Sequence, residues 1–414
     1  MLNAKIHTAN GLPNWSLDKI DDLLSITTIT GIDRNFLLAL QVHIPAVDNS
    51  GIGHLLEHMI IVKTKELVEK NIPLKSDTFI TGVTYPNHVV FYIGAQSFME
   101  FNIIVEAFIE VYSCLSGCGK IYTSLVDDAN DPNSIISELR RREKERISVI
   151  WQNFYTKIFA DTEYRYNSGG HSTKLKNRSF EEVIQFWKDH CFSKVEIVMS
   201  APQFEDKIKV KLLKLYNSRK IGMKKTKLNF KNSIPPICYN RYETKHDSSF
   251  SYGMGIVNKK NFRTEYIESL LFNVVSSNNK VKRGLDFLYE NATPYGMFYF
   301  GIHTKKRKNG IKADILFDLL LQIVMETNED FIEKISRDIT KRLQVLDLDD
   351  RQKCIELAAR ILQRFRRNQD LDKSIILPES HVSFDGHHLK GELLDFIEVF
   401  KGDADNKEIL FCYQ

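Results

Sequence analysis

Residues 51–61 read Gly51-Ile-Gly-His-Leu-Leu-Glu-His-Met-Ile-Ile61, and the chemistry of the chain is concentrated there. On a helix, His54 and His58 stand at i and i+4, one turn apart on one face, so two imidazole nitrogens can converge on one metal ion. Glu57, three residues after His54, leans to the same face without having to be a ligand, and can take a proton from a water on that metal. Zinc lowers the pKa of such a water to about 7, which supplies a hydroxide nucleophile at neutral pH. A half-buried helix whose histidines merely hydrogen-bond would carry the same five letters, so the surrounding sequence has to decide.

Around this segment strands and helices alternate. Phe36–Ile44 reads as an apolar strand, 53–63 as a helix, Val89–Gly94 as a strand and Phe98–Ser113 as a helix with apolar residues at helical spacing. A long charged helix is expected from Pro132 to about Phe159, with Asp131 as its N-cap. A short helix at Phe180–His190 and a strand at Val195–Ser200 follow. The Lys-rich stretch Lys207–Lys231, ending at Pro235-Pro236, reads as a solvated linker. Beyond it come strands near 249–257 and 297–303, helices near 264–276, 311–325, 328–346 and 349–367, and a closing strand at 408–413. The expected fold class is α+β. Two similar domains stand in tandem, each a mixed or antiparallel sheet packed with helices, over 1–205 and 237–414 with a linker at 206–236.

The chain has 414 residues, 43% of them hydrophobic, with 57 basic and 53 acidic side chains for a net charge of +4. That balance is too small and too evenly spread for a nucleic-acid surface. No apolar run approaches the ~20 residues of a membrane helix, and the start MLNAKIHTANGLPNWS lacks the layout of a secretory signal. A cytoplasmic, soluble protein is therefore expected, with no nucleic acid and no membrane as partner. The six cysteines, at 114, 118, 191, 238, 354 and 412, form no paired zinc-ribbon pattern and read as bystander thiols of a reducing compartment.

His54-Leu-Leu-Glu-His58 is the inverted zinc-peptidase signature, and its setting resembles the insulinase-like (pitrilysin-type, M16) metallopeptidases, in particular their presequence-protease branch. DNSGIGHLLEH is similar to the entry into that family's zinc helix. Thr81-Gly-Val-Thr-Tyr-Pro86, followed by a strand, resembles its edge-strand segment. Tyr164-Arg-Tyr-Asn-Ser-Gly-Gly170 and then Ser179-Phe-Glu-Glu resemble a later pair of motifs in that branch. The matches stand in order and cover most of residues 36–200, whereas the resemblance thins in the second half.

The resemblance implies a zinc endopeptidase acting on short or unfolded peptides, with leader removal or peptide turnover as its task. Zn2+ would be held by His54, His58 and a glutamate from a later helix, and Glu57 would act as general base. Glu138 and Glu145 both qualify as that glutamate by position. Glu138 is preferred because Ile135-Ile136-Ser137 precedes it in the family's manner, while Glu145 lies in a run, RRREKER, that suits a solvated surface. Asp131 or Glu145 would then hold a histidine N–H from behind. The segment Thr81, Gly82, Val83 and Thr84 would bind an extended peptide as an added strand. Tyr295 would take the place of a substrate-contacting tyrosine, with Tyr289 where the family's arginine is expected. A chain of this length matches one half of the long family members, so a homodimer, or a heterodimer with another M16-type subunit, is implied. The rival is a non-catalytic or partner-dependent peptide-binding subunit. His387-His388 near the C-terminus reads as an exposed loop, and Lys305–Lys308 as a solvated turn.

Overall fold

The structure, a computed structural model, describes residues 2–6, 14–30, 36–44, 48–127, 131, 134–145, 148–149, 152, 156, 165–166, 168–191, 193–200, 205–220, 242–246, 249–259, 262–278, 285–290, 295–304, 313–343, 351–366 and 385–404. The chain divides into two compact units. One comprises Met1–Thr156, Ala160–Lys231 and Val345–Ile375, the other Lys157–Phe159, Asn232–Gln344 and Ile376–Gln414. The α+β class holds in both.

The first unit is built on strands β1 (Leu2–Ile6), β2 (Asn14–Lys19), β3 (Leu24–Thr30), β4 (Phe36–His43), β5 (Phe79–Tyr85), β6 (His88–Ala95) and β7 (Val195–Ser200). They form one mixed sheet in the order β1-β2-β3-β7-β4-β6-β5. Only β3 and β7 run parallel; every other neighbouring pair is antiparallel. β5 and β6 are a hairpin closed by Pro86-Asn87, with Tyr85 opposite His88, which leaves β5 on the sheet's edge.

The alternation along β4 sorts its side chains onto two faces. Leu38, Leu40 and Val42 enter the core shared with helices α1 (Ile52–Glu69) and α2 (Phe98–Ser113). In α1 the residues Ile52, Leu55, Leu56, Met59 and Ile60 are buried, the i, i+3, i+4, i+7, i+8 stripe of an amphipathic helix. Two further helices, α3 (Gly119–Val126) and α4 (Ile135–Lys144), lead to α5 (Ser172–Lys176) and α6 (Phe180–His190). A capping box closes the start of α6, with Ser179 and Glu182 each bonded to the other's backbone N–H.

Four elements differ from the sequence expectation. The helix expected from Pro132 with Asp131 as its cap begins at Ile135, because the Ser134 hydroxyl accepts the Ser137 N–H at 3.1 Å. Asp131 stands one turn upstream, its carbonyl accepting the Ser134 N–H at 3.0 Å. The helix ends with Glu145 in extended conformation, and the remainder of the expected span lies largely outside the described residues.

Second, Glu205–Lys220 is a helix, α7, where a linker was expected. Its lysines hide an i, i+4, i+8 stripe of Ile208, Leu212 and Tyr216, all buried in the first core. The Tyr216 hydroxyl donates to the Asp21 carboxylate at 2.9 Å, tying α7 to the β2–β3 turn. The rest of the expected linker lies outside the described residues.

The second unit has an antiparallel sheet, order β10-β11-β9-β8, from β8 (Tyr242–His246), β9 (Ser249–Lys259), β10 (Leu285–Glu290) and β11 (Tyr295–Thr304). Helices α8 (Phe262–Ser277), α9 (Ala313–Glu326) and α10 (Glu329–Leu343) supply its core, with Tyr266, Leu270, Phe317 and Ile332 fully buried. The Tyr266 hydroxyl and that of Ser336 are 2.5 Å apart inside it.

The last two differences concern late helices, one in its place and one in its existence. α11 (Arg351–Arg366), expected in the second domain, belongs to the first unit and packs on β4 and β7. Its buried stripe of Cys354, Leu357, Ala358, Ile361 and Leu362 faces the side of the sheet that carries Leu37, Ala39 and Val198. There the Gln41 amide donates to Glu196 Oε2 at 3.1 Å and to the Leu362 carbonyl at 3.4 Å. The stretch read as a loop at His387-His388 opens a helix instead, α12 (Gly386–Ala404), whose Leu389, Leu393 and Ile397 are buried in the second core. Gly386 fits its start because a Cβ there would lie 2.3 Å from the Glu329 carbonyl oxygen. His387 and His388 point outward to Glu329 and Glu392, at 3.1 and 3.2 Å. The expected strand at 408–413 and the basic turn at 305–308 lie outside the described residues.

Replacing the fully buried Ile361 by Ala should destabilise the first unit by about 2–5 kcal/mol, through lost burial and an unfilled cavity. Urea unfolding followed by circular dichroism reads this as a lowered midpoint. A midpoint unchanged from wild type would remove α11 from the sheet face.

Candidate metal centre

The site begins with two glycines. Gly51 has φ 74° and precedes the first turn of α1, with its carbonyl accepting the Leu55 N–H at 3.0 Å. Gly170 has φ 82°, and the two backbones touch: a Cβ on Gly170 would lie 2.4 Å from the Gly51 Cα, and one on Gly51 2.3 Å from the Gly169 carbonyl oxygen. Only glycine occupies that geometry without strain. The His171 N–H donates to the Asn49 carbonyl at 2.8 Å, extending the contact to the neighbouring residues. From α4, Glu143 accepts the backbone N–H and the hydroxyl of Ser172 at 2.6 and 2.9 Å, which ties α4 to the start of α5. The beginning of α1, the 169–170 turn and α4 are thereby held together.

This arrangement brings three donors into one cluster. His54 Nε2 lies 3.7 Å from Glu138 Oε1, and His58 Nε2 lies 3.5 Å from Glu138 Oε2. The two imidazoles meet edge to face with centroids 4.7 Å apart. One ligand atom from each of the three residues falls within 4.8 Å of the others, a spacing that can hold a metal ion. His54 Nδ1 faces the Gly169 carbonyl at 3.3 Å. A carbonyl only accepts, so Nδ1 carries the proton and the Nε2 lone pair is turned to the cluster. Burial pushes His54 down to about 3, aided by the positive charges of His58 and Arg142. Burial likewise lowers His58. Both rings are therefore neutral at pH 7, the state that ligates a metal.

Glu57 is buried on the same helix, and its Oε2 accepts the Thr84 hydroxyl at 2.5 Å. Burial raises its carboxyl to about 7; the Thr84 bond opposes the rise and the Glu138 charge adds to it. Gly82 makes room for it, since a Cβ there would lie 2.6 Å from Glu57 Cγ. A poised carboxyl beside a three-donor cluster can move protons near neutral pH.

The other residues singled out in the sequence fall as follows. Thr81, Gly82, Val83 and Thr84 lie on the edge strand β5, opposite Tyr92, Phe91, Val90 and Val89 of β6. Among the described residues no strand pairs with β5 on its other side. Val83 is 41% exposed, whereas Thr84 turns in to Glu57. Tyr295 opens β11 in the second unit, opposite Lys259, and its side chain lies outside the described residues. Glu145 closes α4 and pairs with Arg141 at 3.9 Å and Ser148 at 3.3 Å. At His54 the ring N–H faces the Gly169 carbonyl rather than either carboxylate. The Ser-Gly-Gly motif pointed to this turn but not to its carbonyl. Arg142, read as a solvated charge, lies with Nη2 2.6 Å from Glu138 Oε1.

No family model matches the sequence. Presequence protease 1, chloroplastic/mitochondrial, of Arabidopsis thaliana is 20% identical over 189 residues, 40% of this chain and 17% of its own length. The chain thus aligns with less than a fifth, 16% to 18%, of the length of the curated relatives it matches. Among solved structures, a peptidase M16 inactive domain from Pseudomonas fluorescens superposes with a TM-score of 0.60 at 11% identity, covering 95% of each chain. A protease from Helicobacter pylori does so at 0.60 and 12%, covering 92% of this chain and 96% of its own.

In the metal-free chain His54 and Glu57 respond to acid in opposite directions. His54 binds its proton at pH 6.5 unfolded but only near 3 folded, so its contribution to stability falls as pH drops below 6.5. Glu57 holds its proton up to about 7 folded but only to 4.5 unfolded, so its contribution rises as pH drops from 7 to 4.5. Glu57→Gln removes the second effect and leaves the first. Between pH 7 and 4.5, in chelator, the Tm of Glu57→Gln should therefore fall more than that of wild type. Parallel Tm profiles would show that the Glu57 carboxyl titrates at its ordinary value.

Proposed function

On the premise that the chain has the half-length M16 peptidase fold, we propose that it is a zinc-dependent endopeptidase for short or unfolded peptides. The observation that carries the reading is the convergence of His54, His58 and Glu138 beside a buried carboxyl, Glu57. Two neutral imidazoles and a carboxylate suit zinc, and three protein ligands leave a position open, as catalytic rather than structural zinc sites do. Zinc held there would polarise the scissile carbonyl and acidify the attacking water.

The chain's own groups do the rest. Thr84 anchors Oε2 of Glu57, so Oε1 is the oxygen that takes the water proton and returns it to the leaving amine. The peptide adds to the open edge of β5 through backbone hydrogen bonds, a mode that selects extended chain rather than folded protein. The tyrosine at 289, where the family's arginine is expected, supports a second M16-type subunit, whether another copy of this chain or a different one, that completes the substrate contacts. The inactive M16 domain among the structural neighbours favours the alternative, a subunit that binds peptide and depends on a partner for cleavage.

Glu57→Gln should bind about one zinc, as wild type does, and lose at least about a hundredfold in peptide cleavage, because it removes the base but no ligand. Zinc content by mass spectrometry and cleavage of an unstructured peptide test both halves. A variant that cuts like wild type ends the proposal, and zinc in both proteins with cleavage in neither favours the partner-dependent subunit.

Gly82→Ala offers a second check. Its methyl would displace the Glu57 side chain, so activity should fall while zinc content holds. Full activity in this variant would separate β5 from the base.

A further inference from the structure

We propose that Arg142 is a positioning residue for the metal centre: its guanidinium is the counter-ion of Glu138 when no metal is bound, occupies Oε1, and leaves Oε2 as the oxygen that ligates. The inference rests on reading His54, His58 and Glu138 as zinc ligands.

An i, i+4 carboxylate–guanidinium pair is common on helices and usually contributes little. This one differs in its carboxylate. Glu138 is 22% exposed in its side chain, and its two oxygens face the Nε2 atoms of His54 and His58. Arg142 Nη2 approaches Oε1, the oxygen on the His54 side, at 2.6 Å. Oε2, 3.5 Å from His58, is left to the cluster. The guanidinium charge also bears on His54, His58 and Glu57. Arg142 is thus a cation at hydrogen-bond distance from Glu138, nearer than either imidazole nitrogen.

A guanidinium has N–H donors and no lone pair to offer a metal, so Arg142 cannot itself ligate. It can only share the carboxylate with the ion or give way to it. Two consequences have opposite signs. Without metal, Arg142 stabilises a carboxylate that would otherwise face two neutral rings. With metal, its positive charge stands beside another, weakens the donation from Glu138 and lowers affinity.

Arg142→Gln, at a half-exposed position, separates the two effects. Zinc affinity is read by competition with a chromophoric chelator, and metal-free Tm by thermal unfolding in EDTA. The expected result is a zinc Kd lowered roughly tenfold, together with a lower metal-free Tm. Arg142→Lys, which keeps the charge, should retain the wild-type zinc Kd. A merely structural arginine would lower Tm and zinc affinity together, and that outcome overturns the inference, as does an unchanged Kd in Arg142→Gln. Equal affinity in wild type and variant leaves the zinc site standing and removes only the role of Arg142. Absence of zinc from both removes the site and the inference together.

Discussion

The backbone contact between Gly51 and Gly170 is the constraint on which the site depends. A Cβ on either residue would overlap the other's main chain, and both glycines stand at positive φ. Their approach sets where α1 starts and brings the Gly169 carbonyl to His54 Nδ1. One contact between segments more than a hundred residues apart therefore fixes the helix, the ring orientation and the tautomer that presents Nε2. Glu143, bonded to the Ser172 N–H and hydroxyl, carries the same constraint on to α4 and hence to Glu138.

The second constraint is electrostatic. Two imidazoles and two carboxyls are gathered where water is largely excluded, and such groups carry charge there only if it is compensated. Burial resolves this by favouring the neutral form of three of the four: both histidines are shifted down and Glu57 is shifted up. Glu138 pairs with Arg142, whose Nη2 lies 2.6 Å from its Oε1. The result is a pocket with one carboxylate, two lone pairs and a proton on hold, which is what a divalent cation and a hydrolytic base require. A scaffold with no such use for these groups would be more stable with apolar residues in their place.

How much of this was legible in the sequence follows from the range of each contact. His54, Glu57 and His58 lie within one and a half helical turns, so helical periodicity alone puts them on one face. Glu138 was reachable because its local pattern, an apolar pair and a serine, survives in the chain. The Gly169 carbonyl was not, because a main-chain oxygen leaves no letter in the sequence. Arg142 was hidden by its neighbours: in a run of arginines nothing local tells which one turns to the site. The lysines of 207–220 concealed a buried stripe in the same way, and α11 was misplaced because an amphipathic helix does not say which sheet it covers. The cap moved from Asp131 to Ser134 since both residues are competent caps and tertiary packing chose between them.

The edge strand unites the two halves of the proposed chemistry. Along β5 successive residues alternate in direction, so Thr84 and Gly82 face inward with Glu57 while Val83 is exposed. Thr84 holds one oxygen of the base, and the absent side chain of Gly82 gives the other room. A peptide added to the outer edge of this strand would bond to the backbone of the same residues. Binding and proton transfer then share a single element, so a peptide that straightens or shifts β5 also moves Thr84 against Glu57. Backbone recognition of this kind does not depend on the peptide's sequence, yet it sets the base only when an extended segment lies along the edge. Under the proposed function, a strand that both receives the peptide and positions the base would confine cleavage to chains that have already given up their fold.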